Sequence, residues 1–110
     1  MAFTVDEALD DDLIHVIDRH DEVGTFTVRL GSLETPITIE LGRFQSSEET
    51  KFWVSHAIKT PSQHDPYTPS VFYKPSWGDA LQEAVSSLTM YYRIAVRDGH
   101  KPEESWLVRN

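Results

Sequence analysis

A chain of 110 residues with 39% apolar residues, no cysteine and a formal charge of −8 has material for one hydrophobic core, since pieces of half that size would bury too little surface to fold alone. The absence of thiols excludes disulfides, thiolate catalysis and cysteine-held zinc or iron–sulfur centres. No apolar run approaches the ~18 residues that cross a bilayer, and no basic stripe exists to displace counterions from a phosphate backbone or to meet anionic lipid.

Residues 1–110 therefore read as a single α+β domain, with a proline-rich loop at 60–76 and a short tail at 100–110. The opening "MAFTVDEALDDD" is acidic where a secretory leader would be basic, which points to a cytoplasmic setting.

The first predicted element is a helix. Thr4-Val5-Asp6-Glu7 has the form of a capping box, in which the threonine hydroxyl accepts the Glu7 amide and the Glu7 carboxylate reaches back. Leu9, Leu13, Val16, Ile17 and His20 follow at helical spacing, and Asp6, Glu7 and Asp10 suit the positive end of the dipole. The pattern predicts a helix over residues 5–20. The rival is a strand through "LIHVID", where β-branched residues cluster. Residues 1–22 hold eight acids against the single base Arg19, while the remaining 88 residues are nearly balanced with ten acids and nine bases.

Three strands are expected next, forming an antiparallel meander. Phe26, Val28 and Leu30 alternate with Thr25, Thr27 and Arg29; Ile37, Ile39 and Leu41 alternate with Thr38, Glu40 and Gly42. Pro36 sits at a strand start, where a missing amide is tolerated, and Gly31 with Ser32-Leu33-Glu34 would close this pair as a hairpin. "QSSEET" provides a turn into "KFWVSHAIK", which puts Phe52, Val54, His56 and Ile58 inside and Trp53, Ser55, Ala57 and Lys59 outside. Trp53 would then be shielded by the loop at 60–76.

That loop carries four of the six prolines, which forbids a helix and makes a central strand unsuitable; Val71, Phe72 and Tyr73 suit a short extended piece. A long helix follows over residues 77–98, N-capped by Ser76, with Trp77, Leu81, Ala84, Val85, Leu88, Tyr92 and Ala95 along one side. Gly99 and Pro102 stop it, and Arg93 and Arg97 complement its negative end. The tail then returns Trp106, Leu107 and Val108 to the core.

The chemistry-bearing residues make few patterns. His15, His20, His56, His64 and His100 include no His-Glu-x-x-His pair. "DEALDDD" lacks the alternating ligands, central glycine and closing glutamate of a calcium loop. The glycines are too scattered to cradle a phosphate. No cofactor is called for.

Three functions remain in view. The leading one is a non-enzymatic regulatory or interaction domain that meets a basic protein surface through Asp6, Glu7, Asp10, Asp11 and Asp12, inhibiting a nucleic-acid-binding partner by offering carboxylates in place of phosphates. The second is a homo-oligomeric, antitoxin-like or structural module, a homodimer for instance, using Met90, Tyr91 and Ile94; Met90 and Ile94 lie opposite the main stripe with Ser87 and Tyr91 beside them. The third is a small metal-dependent hydrolase built on His56, His64 and Asp65.

Two family resemblances touch parts of the chain. The order helix, three strands, helix is similar to that of double-stranded-RNA-binding domains, but Ser76, Trp77, Gly78 and Asp79 stand where those carry a lysine-rich motif. "GDALQEAVSSLTMYYRIAVRDGHKP" somewhat resembles the C-terminal helix of HicB-type antitoxins, without the proline-glycine motif of their strand region. Membership of neither follows from these residues.

Overall fold

The computed structural model describes residues 3–43, 49–68 and 73–110. Helix α1 spans Val5–Leu9 and is followed by strands β1 (Ile14–His20), β2 (Thr25–Leu30), β3 (Ile37–Arg43), β4 (Thr50–Val54), β5 (His56–Ile58) and β6 (Tyr73–Lys74). Helix α2 (Trp77–Arg97), a short 3-10 turn (Glu104–Trp106) and strand β7 (Leu107–Arg109) complete the chain. The α+β class is as expected, but among the described residues the sheet has five strands, ordered β1-β2-β3-β4-β6 and antiparallel throughout, rather than three. Strands β5 and β7 form a separate two-stranded ribbon.

The largest departure from the sequence reading is at the N-terminus. The capping box forms as expected, with Glu7 N–H donating to Thr4 Oγ1 and Thr4 N–H to Glu7 Oε1. The helix nevertheless ends at Leu9, and residues 14–20 are the edge strand β1. Asp10-Asp11-Asp12 explains the stop, because short acidic side chains capture nearby amides that a helix would need. Asp11 Oδ1 accepts the Leu13 amide and its carbonyl accepts that of Ile14. The β-branched Ile14, Val16 and Ile17 then favour the extended form. Ile17 is the extra residue of a bulge between the Val16–Val28 and Asp18–Thr27 pairs, a common way to disrupt a free sheet edge.

One face of the sheet carries the core. Phe26, Val28, Leu30, Ile37 and Ile39 are fully buried, and Leu41, Phe52 and Val54 nearly so. Against them lie Leu81, Ala84, Val85, Leu88, Tyr92 and Ala95 of α2, all buried and all on the predicted stripe. At about 25 cal/mol per Å² of apolar surface removed from water, this contact is the principal stabilising term. The Ser32 amide donates to the Tyr92 hydroxyl, tying α2 to the β2–β3 turn.

The expected continuous strand from 51 to 59 is broken at Ser55. After the break His56, Ala57 and Ile58 are all buried and pair with the tail. The tail thus returns as predicted through Trp106, which is buried, although Val108 stays exposed. Tyr73 and Lys74 pair with β4; Val71 and Phe72 lie outside the described residues, as does most of the turn expected at 45–50.

Both ends of α2 are capped as the sequence indicates. Ser76 Oγ accepts the Asp79 amide. At the other end Gly99 takes φ +93°, Gly99 N–H bonds Val96 C=O and His100 N–H bonds Ala95 C=O, the paired bonds of a Schellman closure.

Gly78 permits a close approach elsewhere: an added Cβ would collide with the Phe3 carbonyl, where the Phe3 amide also donates to Asp79 Oδ1. Gly78→Ala should therefore cost roughly 1–3 kcal/mol by overpacking. Chemical denaturation should show that loss, with amide exchange accelerated through residues 3–9.

Candidate functional site

The acidic segment folds into a small, ordered unit. Arg19 on β1 grips Asp21 through two hydrogen bonds of 2.8 and 2.6 Å and also holds Asp6 of α1 at 2.9 Å. Those two carboxylates raise the Arg19 pKa further above its usual value. Arg93, from the far end of the chain, forms a forked pair with Asp11 at 2.6 and 3.2 Å. Asp18 bonds His20 Nε2 at 3.0 Å.

Two of the five aspartates and glutamates predicted as partner-binding, Asp6 and Asp11, are thus held by the protein's own arginines. Glu7 is committed to the capping box. Asp10 and Asp12 are without an ion pair among the described residues and, with Glu22, exposed. Eight acids still face only two arginines, so the end remains strongly negative.

Between α1 and β1 runs an open groove lined by Asp6, Glu7, Leu9, Asp10, Val16 and Arg19. Three of its walls are expected partner-binding carboxylates. Val16 was assigned to a buried helical stripe but is 41% exposed here, giving the groove an apolar strip between charges. A long cationic side chain lays its methylenes on such a strip while its head meets carboxylate.

The α2 patch is less open than its spacing indicates. Met90 is exposed, but Ile94 is half-buried and Tyr91 packs its ring against Tyr67 of the proline-rich loop, centroids 5.2 Å apart. Ser87, expected beside them on the outside, is buried and donates to the Ala84 carbonyl.

The three residues considered for a metal-dependent hydrolase are differently placed. His64 and Asp65 are exposed on the rim of one cleft, whereas His56 is buried on another, with Tyr67 and Thr68 forming the wall between the two. Among the described residues no three histidine, aspartate or glutamate side chains gather to hold a metal ion.

His56 Nδ1 lies 2.7 Å from Ser55 Oγ, which itself accepts the Thr38 amide at 2.9 Å. The cleft it faces also has Phe52, Val54, Ala57, Tyr67 and Ser87 among its walls and a volume of about 160 Å³. Trp53, expected to be shielded, is 47% exposed and borders the same cleft. Burial, and then the charge of Arg109 on the paired strand, lower the His56 pKa and keep the ring neutral at pH 7.

Sequence reasoning missed Arg19 and Arg93 as organisers of the acidic end, and Ser87 and Tyr67 as cleft walls. Asp11 and Arg93 stand 82 positions apart, a separation that no local pattern bridges. Nor does the molecule offer a precedent: no family model, curated protein or solved structure matches the chain. No helix among the described residues is long and apolar enough to cross a membrane.

Asp11 supplies a pH test. Partial burial raises its pKa, but the Arg93 hydrogen bond, the Leu13 amide and the Arg93 charge together outweigh that and leave it below its ordinary 3.8. A depressed carboxylate stabilises the fold fully above its unfolded value and loses that contribution as pH falls through the folded one. Asp11→Asn should cost roughly 0.5–1 kcal/mol at pH 7, a small figure because Arg93 is half in water. Thermal unfolding should show this difference shrinking between pH 4 and pH 2.

Proposed function

We propose that this protein is a small interaction domain that engages a basic surface of another protein through the groove between α1 and β1. The observation carrying this reading is the composition of that groove, in which Asp6, Glu7 and Asp10 flank exposed Val16. The carboxylates select lysine or arginine, and the apolar strip adds contact that free counterions cannot replace. Arg19 and Arg93 serve as internal struts: they hold Asp6, Asp21 and Asp11 in place and leave Asp10 and Asp12 facing outward. Placement costs less on binding when the charged groups are already fixed.

On this reading the partner's basic surface is one that otherwise takes phosphates, so the domain acts as a regulator or inhibitor. Self-association through Met90, Tyr91 and Ile94 has less behind it, because Tyr67 covers Tyr91 and Ile94 is half-buried.

The test is capture of partners from the native host's lysate at rising salt, with two charge-matched variants. Asp10→Asn with Asp12→Asn should reduce capture about tenfold, the size of one lost charge-assisted contact. Glu40→Gln with Glu103→Gln, equally neutralised but not among the residues that line the groove, should leave capture near that of the parent. Equal losses in both variants, or capture indifferent to salt, would contradict the proposal.

A further inference from the structure

A second cleft shares no residue with the acidic groove and lies against β4 and β5. His56 is 7% exposed and lines this cleft. Its Nδ1 is engaged by Ser55. Ser55 Oγ accepts the Thr38 amide, and its own hydroxyl hydrogen finds an acceptor when it donates to Nδ1. The remaining ring proton then sits on Nε2, and a neutral imidazole offers it as a single donor. The cleft against which His56 lies is otherwise largely apolar, with Phe52, Val54, Ala57 and Tyr67 among its walls.

Its volume of about 160 Å³ is close to the ~150 Å³ of an apolar cavity that accepts benzene. An apolar wall with one buried, oriented donor is the usual composition of a small-molecule site. The walls come from β4, β5, α2 and the loop before β6, so the site lies where the main sheet hands over to the β5–β7 ribbon. Asn110 completes that junction by donating its side-chain N–H to the Val54 carbonyl.

We infer that this cleft binds a molecule of about one ring carrying a single oxygen acceptor, with the apolar body against Phe52, Ala57 and Tyr67 and the oxygen on His56 Nε2. The carbonyl of an aromatic amide and the oxygen of an aromatic carboxylate share that chemistry. The positive charge of Arg109, on the strand paired with His56, favours the carboxylate of the two.

The experiment titrates the full chain with benzamide, benzoate and toluene, following the His56 ring nitrogens by NMR. Benzamide and benzoate should bind at millimolar concentrations or below and shift the Nε2 resonance, while toluene should bind about tenfold more weakly, the worth of one hydrogen bond. Ser87→Leu, which adds bulk to the cleft from α2 and leaves the His56 side chain unsubstituted, should abolish binding of all three. His56→Phe should remove the preference for the oxygenated probes, and if that variant fails to fold, Ser87→Leu and the probe comparison still decide. Toluene binding as well as benzamide, or no oxygenated probe shifting Nε2, would overturn the inference.

Discussion

Burial of one apolar stripe of α2 against the inner face of the sheet is the constraint on which every other feature depends. Leu81, Val85 and Leu88 have almost no access to water, and neither do Phe26, Val28, Ile37 and Ile39 opposite them. Because the helix is clamped along its length, its two other faces acquire fixed positions. Arg93 projects from one towards Asp11 and anchors the α1–β1 turn. Ser87 and Tyr91 meet the junction between β4, β5 and the proline-rich loop on another. The acidic groove and the apolar cleft are thus two consequences of one packing event.

Charge and packing divide the work at the N-terminus. The acids of residues 6–12 would repel one another on an isolated peptide. In the fold, Arg19 and Arg93 offset three carboxylates at positions 6, 21 and 11, and the helix dipole and capping box accommodate Glu7. The residual negative field is therefore attached to a rigid frame rather than to a fluctuating tail.

Much of the architecture was legible because it depends on local chemistry. The Thr4–Glu7 box, the Ser76 cap, the α2 stripe and the Gly99 closure each need only a few neighbouring residues, and each occurs as read. The helix expected over 5–20 was not real beyond Leu9, because Leu9, Leu13, Val16 and Ile17 satisfy a helical spacing by coincidence. Ile17 owes its place to a bulge, not a stripe, and is 51% exposed.

The break at Ser55 was hidden because alternation continues through it, and pairing of β5 with a three-residue strand from the tail leaves no periodic trace. The cleft was invisible for a related reason. A serine on a helix reads as an outward residue, and only the approach of the loop at 59–68 converts Ser87 into a wall. His56 was correctly placed inside, but its Ser55 tether depends on the strand turning at that residue.

Residue-resolved hydrogen exchange under native conditions tests the central dependence most directly. The account predicts that amides of β2, β3 and residues 81–92 of α2 exchange last and together, through one global opening, with α1 and β1 exchanging earlier. Exchange of α2 faster than the sheet, and independent of it, would contradict the claim that their shared interface holds both the acidic groove and the apolar cleft in place.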